Sequence, residues 1–210
     1  ATSSPAVMAT SVASAAAQAI GAVKGPVSAW VLCAPSAQAA VRMMRIPFKG
    51  RAKVAAVVPG ELEPYLAIPI DELIVDHAIV REAEGKTDVL AVAARESALA
   101  EQVNVLREAG IQVEAITLDV AALTSLWRAQ RKSVAPMEAV LHVRERGAFF
   151  VIATPKAIAW FRAIPMTLAQ ARTNPAALAV QIRNSIRAFQ TGWEGEAALE
   201  QLTVTGVGLG

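Results

Sequence analysis

The order of apolar and polar positions divides the chain into alternating helical and extended segments. Val12, Ala16, Ile20 and Val23 recur at helical spacing and predict a first helix with one buried stripe. VSAWVLCAP (27–35) reads as a buried strand, and the alternating AAVRMMRIP (39–47) as its neighbour across a short Pro-Ser turn. Pro59, Gly60 and Pro64 interrupt an otherwise helical composition, so a short or broken helix is expected there. Residues 71–84 and 86–95 predict a hairpin turning at Gly85. Leu99, Val103 and Leu106 share one face of a helix that Ser97 is placed to cap and Gly110 to end. VEAITLD (113–119) predicts a strand, with Asp119 capping a helix that carries Leu123, Leu126 and Trp127.

Beyond the polar stretch RKSVAP (132–137), strands are predicted at 138–145, 147–153 and 157–164. Asn174 and Pro175 stand as N-cap and first residue of a helix whose apolar face is Leu178, Ile182, Ile186 and Phe189. LTVTG then forms a last strand. Strands alternating with helices point to α/β layers, and no short-period repeat is present. Within this pattern VLHVRERGAFFVIA (140–153) reads as a hairpin whose turn region carries Arg144, Glu145, Arg146 and Gly147. Three readings are open for it: a phosphate-binding turn, an altered one, or a solvated surface.

Charge changes the picture more than composition does. A hydrophobic content of 54% with 5% aromatics describes an aliphatic α/β core in a chain of 210 residues. Residues 1–58 hold six basic and no acidic side chains, and 59–120 hold four basic against thirteen acidic. Residues 121–190 hold ten basic against two acidic, and the rest adds three acidic. Such segregation suits units with different partners, or merely separate solvated faces. The uncharged first 23 residues lack the basic start of a signal peptide and are broken by Ser, Thr and Gln, so no leader or membrane span is expected. Cys33, alone and within an apolar run, is expected to be a buried thiol.

Candidate chemistry is sparse. Gly85-Lys86-Thr87 ends like a P-loop, but Val80 stands where another glycine is required and a strand follows. Gly206-Val207-Gly208-Leu209-Gly210 misspaces a dinucleotide loop. His77 and His142 fall on strands without further ligands nearby, which favours structural roles. Glu61 and Glu63, or Asp71, Glu72 and Asp76, could form carboxylate clusters, with an acidic solvated face as the default. No nucleophile elbow is present, and core packing accounts for Trp30, Trp127, Trp160 and Trp193. The basic residues of 121–190 are spread over several elements, and Arg183 and Arg187 simply share a helix face.

Two stretches together resemble a known family. ELEPYLAIPIDELIVDHAIV leads to DVLAVAARESALAEQVNVLREAGIQVEAITLDVAAL, and AWFRAIP leads through QIRNSIRAFQ to LTVTGVG. Over roughly residues 40–208 this order is similar to the actin-like proteins of pilus and secretion machines, the PilM-type pilus assembly protein and the GspL-type cytoplasmic domain. The resemblance implies an actin-like, ribonuclease H-like α/β core, incomplete at both ends, with an inserted small α/β subdomain. It suggests units at 1–58, 59–131 and 132–210: a partial first subdomain, the acidic insert with its return helix, and a second subdomain.

In PilM-like members the hairpin before F-R-x-I-P carries an Asp-x-Gly turn facing the phosphates and metal of ATP. Here the Asp position falls on His142, the Gly position on Arg144 and the nearby Thr position on Ala148. The family's opening D-x-G strand would precede the Ala-rich helix at which this chain begins, so the chain is expected to be either a fragment of a longer protein or a member that has shed that piece. The resemblance therefore implies a cytoplasmic scaffold peripheral to the inner membrane, serving pilus assembly or protein transport. It would dock membrane-anchored platform proteins and the assembly ATPase, with a degenerate nucleotide site and no cofactor, nucleic acid or catalytic residue; self-association stays open. The alternatives are an actin-fold ATPase or kinase using ATP and magnesium, its first phosphate loop outside the chain, and a basic nucleic-acid-binding module.

Overall fold

The computed structural model describes residues 14, 16, 18, 20–131, 135–145, 147–194, 198, 199 and 201–206. Val12 and most of GVGLG lie outside them. Helical residues 14, 16, 18 and 20–22 lead to strand β1 (Trp30–Ala34). Then come β2 (Ala39–Ile46), helix α1 (Arg51–Leu62), β3 (Leu73–Ala83), β4 (Lys86–Arg95), α2 (Glu96–Glu108), β5 (Val113–Leu118) and α3 (Asp119–Ala129). The second half adds β6 (Glu138–Arg144), β7 (Gly147–Ala153), β8 (Ile158–Ile164), α4 (Leu168–Thr173), α5 (Pro175–Gly192) and β9 (Leu202–Gly206).

Three sheets result among the described residues. β1 pairs in parallel with β5, the antiparallel order β2-β4-β3 forms a second sheet, and β8-β7-β6-β9 a third. In the last sheet β6, β7 and β8 form an antiparallel meander and β9 returns parallel to β6. The expected pairing of β1 with its sequence neighbour β2 is thus not found: β2 pairs with β4, and β1 with a strand eighty residues further on.

That topology exposes Cys33, against the expectation of a buried thiol. Trp30 and Leu32 face the cluster of Ala16, Leu106 and Ile111, while Val31 and Cys33 point to the other face, which no described residue covers. Ile20 and Val23 are likewise exposed rather than part of a buried stripe.

Strand β4 is the centre of the middle sheet. Val89, Ala91 and Ala93 pack on Val54, Val58 and Leu62 of α1, and Leu90 on the opposite face joins the large core over β6–β8 and α5. Helix α1 runs unbroken through Pro59 because the missing N–H orphans only the carbonyl of Ala55, an exposed residue that water can serve. The β3–β4 turn has Glu84 and Gly85 both at positive φ (51° and 78°), the geometry a two-residue hairpin needs.

Ser97 does not cap α2, which starts one residue earlier at Glu96 without a side-chain cap. Gly110, at φ 81°, does end it: its N–H bonds to Arg107 O and that of Ile111 to Leu106 O, with Leu106 and Ile111 in one apolar cluster. Asn174 caps α5 through Ala177 N–H at 3.0 Å, as the sequence pattern predicts.

Candidate functional site

The questioned hairpin is β6–β7, joined by Glu145 and Arg146, the latter outside the described residues. Both strands are buried along nearly their whole length, since α5 covers one face and α3 the other. His142, in the Asp position of the resemblance, is 3% exposed and points at neither water nor a carboxylate. Its Nδ1 lies 2.5 Å from Thr205 Oγ1 on β9, and its Nε2 is 3.5 Å from Thr124 Oγ1 on α3. Burial, and secondarily the charge of Arg144, push its pKa down to about 4, so the ring is neutral near pH 7. Ala148, in the Thr position, is buried.

Arg144 reaches back across the domain. Its Nη1 donates to Asp119 Oδ2 at 2.7 Å, and the guanidinium lies 4.0 Å from the Phe149 ring centroid. Asp119 Oδ1 accepts from Ser36 N–H (2.9 Å), from the Ser36 hydroxyl and from Val120 N–H (2.8 Å). One carboxylate therefore ties together the β1–β2 connection, the start of α3 and the hairpin. Asp119 also sits where a negative charge is favoured by the helix dipole. Asp119 is the first residue of α3 and not its N-cap, which is Leu118 without a side-chain bond, so a bridging role stands where the sequence predicts a cap.

The arrangement gives a hard cation little to bind. His142 is neutral, and both oxygens of Asp119 are engaged by donors. Among the described residues no group of three His, Cys, Asp or Glu side chains could hold a metal. Gly206 of the T-G-x-G stretch has a packing reason for being glycine: at φ 148°, a Cβ would stand 2.1 Å from Val143 O. Gly85-Lys86-Thr87 forms the hairpin turn, with Thr87 Oγ1 donating to Phe48 O.

Glu61, Glu63, Asp71 and Glu72 do not converge on a cation. They line the exposed run from the end of α1 through two short helical turns. Asp76 and His77 lie on β3 beside a cleft of about 460 Å³. Its floor is the uncovered part of the middle sheet (Ile74, Ala78, Val92), and its walls come from β5, α3 and the β7–β8 turn. Leu126, expected on the buried face of α3, is exposed; Val120, Thr124 and Trp127 form that face.

A search of solved structures places this geometry. The chain superposes on a protein of the PilM-PilN type IV pilus biogenesis complex with a TM-score of 0.70 at 18% identity, over 97% of this chain and 68% of that one. It has the actin-like fold of the PilM type. The cytoplasmic domain of EpsL, an inner membrane component of the Vibrio cholerae type II secretion system, matches with a TM-score of 0.55 at 14% identity, over 94% and 71%. A looser likeness (TM-score 0.37, 10% identity, 78% and 65%) is to a Bacteroides thetaiotaomicron protein described as having an actin-like ATPase fold and unknown function. No family model and no curated protein matches the sequence.

Proposed function

We propose that the chain is a cytoplasmic scaffold of an inner-membrane pilus-assembly or type II secretion platform, acting by protein docking with a degenerate nucleotide site. The observation that carries the second half is the Asp119–Arg144 pair, in which the acid at the start of α3 is engaged by the arginine of the hairpin. The fold shared with a PilM-PilN complex component and with the EpsL domain supports the first half. Its partners would be membrane-anchored proteins of the same machine and its assembly ATPase. Among the described residues no helix is long and apolar enough to cross a membrane, which agrees with peripheral attachment through such partners.

The acidic run at Glu61, Glu63, Asp71 and Glu72 offers one docking face, since all four are exposed and, among the described residues, only Glu72 forms an ion pair, with Arg95 at 3.4 Å. Calorimetric titration with ATP and magnesium tests the degenerate site: no heat is expected from this chain or from any longer polypeptide containing it, and micromolar metal-dependent binding would refute it. Neutralising the four acids to Asn or Gln should weaken capture of a platform protein without lowering the melting temperature. Unchanged capture of every platform protein would reject that face.

A further inference from the structure

Helix α1 carries its charges at the wrong ends. α2 has Glu96 in its first turn and Arg107 in its last, and α3 has Asp119 and Arg128, the arrangement that the helix macrodipole favours. α1 has no acid in its first turn and no base in its last; Lys49, Arg51 and Lys53 surround its start, and Glu61 and Glu63 its end. All five are exposed, and among the described residues none forms a side-chain hydrogen bond or ion pair that would offset this placement. Opposite the buried line of Val54, Val58 and Leu62 runs an exposed line of Lys53, Ala56, Gly60 and Glu63, at intervals of three, four and three residues. Glu63 belongs to that line because its backbone is still helical, with φ −48° and ψ −44°.

The exposed line is self-complementary. Its middle has no side chain longer than a methyl group, and nothing lies within 4 Å of where a Cβ would stand on Gly60, so another helix can approach closely there. Set antiparallel against a second copy, Lys53 meets the partner's Glu63 and Ala56 meets the partner's Gly60, and two-fold symmetry repeats both contacts. The same placement brings the cations of each helix to the negative, C-terminal end of the other. What is unfavourable within one α1 becomes favourable between two. We propose that this chain self-associates as a two-fold dimer through antiparallel packing of α1 on α1. A foreign partner would have to match both the charges and their spacing, whereas a second copy matches them by construction. The face is short and polar at both ends, so the dimer is weak and reversible. This inference does not rest on the docking of platform proteins, and its test contains none.

Sedimentation velocity of the purified whole chain, from micromolar to millimolar concentration, should show the mass rising from one chain towards two. Raising the salt from about 0.05 M to about 0.5 M should weaken the association. Lys53→Glu and Glu63→Lys should each weaken it at least about tenfold, since both symmetry-related contacts become like-charged. Neither should lower the melting temperature of the monomer, because each puts at its end of α1 the charge that the macrodipole favours. An equimolar mixture of the two variants should associate again, as should the double variant K53E/E63K, in which every contact is once more between opposite charges. Ala56→Gln, on the exposed face, should fold and abolish association by holding the helices apart. A chain that stays monomeric throughout overturns the proposal. So does a dimer indifferent to salt and to both charge reversals, or a failure of the mixture and the double variant to recover.

Discussion

His142 makes the stability of this protein depend on pH in a way that can be isolated. Its pKa falls from 6.5 in the unfolded chain to about 4 in the native one, because the ring is desolvated and stands near Arg144. Below pH 6.5 the unfolded state binds the proton and the native state does not. The contribution is therefore complete above about pH 6.5, is lost as the pH falls, and is exhausted below about pH 4. The full span corresponds to about 3 kcal/mol, of which about 2 kcal/mol is gone by pH 5.

Urea unfolding followed by tryptophan emission, at pH 7 and pH 5, reads this directly. His142→Gln keeps a polar group between Thr124 and Thr205 but removes the titration. Carboxylates titrate in both proteins and cancel in the difference. The stability gap between wild type and variant should narrow by about 2 kcal/mol from pH 7 to pH 5, a relative midpoint shift of roughly 1 M urea. Parallel pH dependences for the two proteins would refute the placement of a neutral, buried imidazole at the hairpin.

Other substitutions probe the same frame. Gly206→Ala should cost at least about 3 kcal/mol and lower the melting temperature by about 10 °C, because β9 must move away from Val143. Gly60→Ala, in α1 with nothing within 4 Å of the added methyl, should instead raise stability by about 0.5–1 kcal/mol. A double-mutant cycle of Asp119→Asn and Arg144→Ala should return a coupling of about 1 kcal/mol, the size set by the partial exposure of both side chains; no coupling would mean the pair does not form in solution. Cys33 should react with one equivalent of a thiol reagent in the native protein, and reaction only after denaturation would contradict its exposure.

Features set by neighbouring residues were legible from the sequence. The β3–β4 and β6–β7 hairpins, the Asn174 cap and the glycine end of α2 each depend on a few adjacent positions, and the structure has them where the pattern predicts. Pairings between distant segments were not. Nothing in WVLCA tells that it will lie beside VEAITL rather than the adjacent AAVRMMRI, and the exposure of Cys33 follows from that choice. The same holds for the site. That the hairpin lacked an acid was plain from VLHVRERGAFF, but Arg144 and Asp119 are 25 residues apart and meet only through the packing of α3 on β7. The bonds of Arg128 Nη2 to the carbonyls of Thr154 and Ala157 are equally illegible, because carbonyl oxygens are partners that every residue possesses.

The parallel return of β9 to β6 has a consequence for synthesis. Ala139 pairs with Leu202, so about sixty residues must leave the ribosome before β6 gains its second neighbour. Until then the meander β6–β7–β8 can form by local steps, leaving β6, a strand almost wholly buried in the finished fold, with a free edge. That interval, several seconds long at roughly 5–20 residues per second, is when the nascent polypeptide is most open to pairing with the wrong strand, and where a chaperone would act.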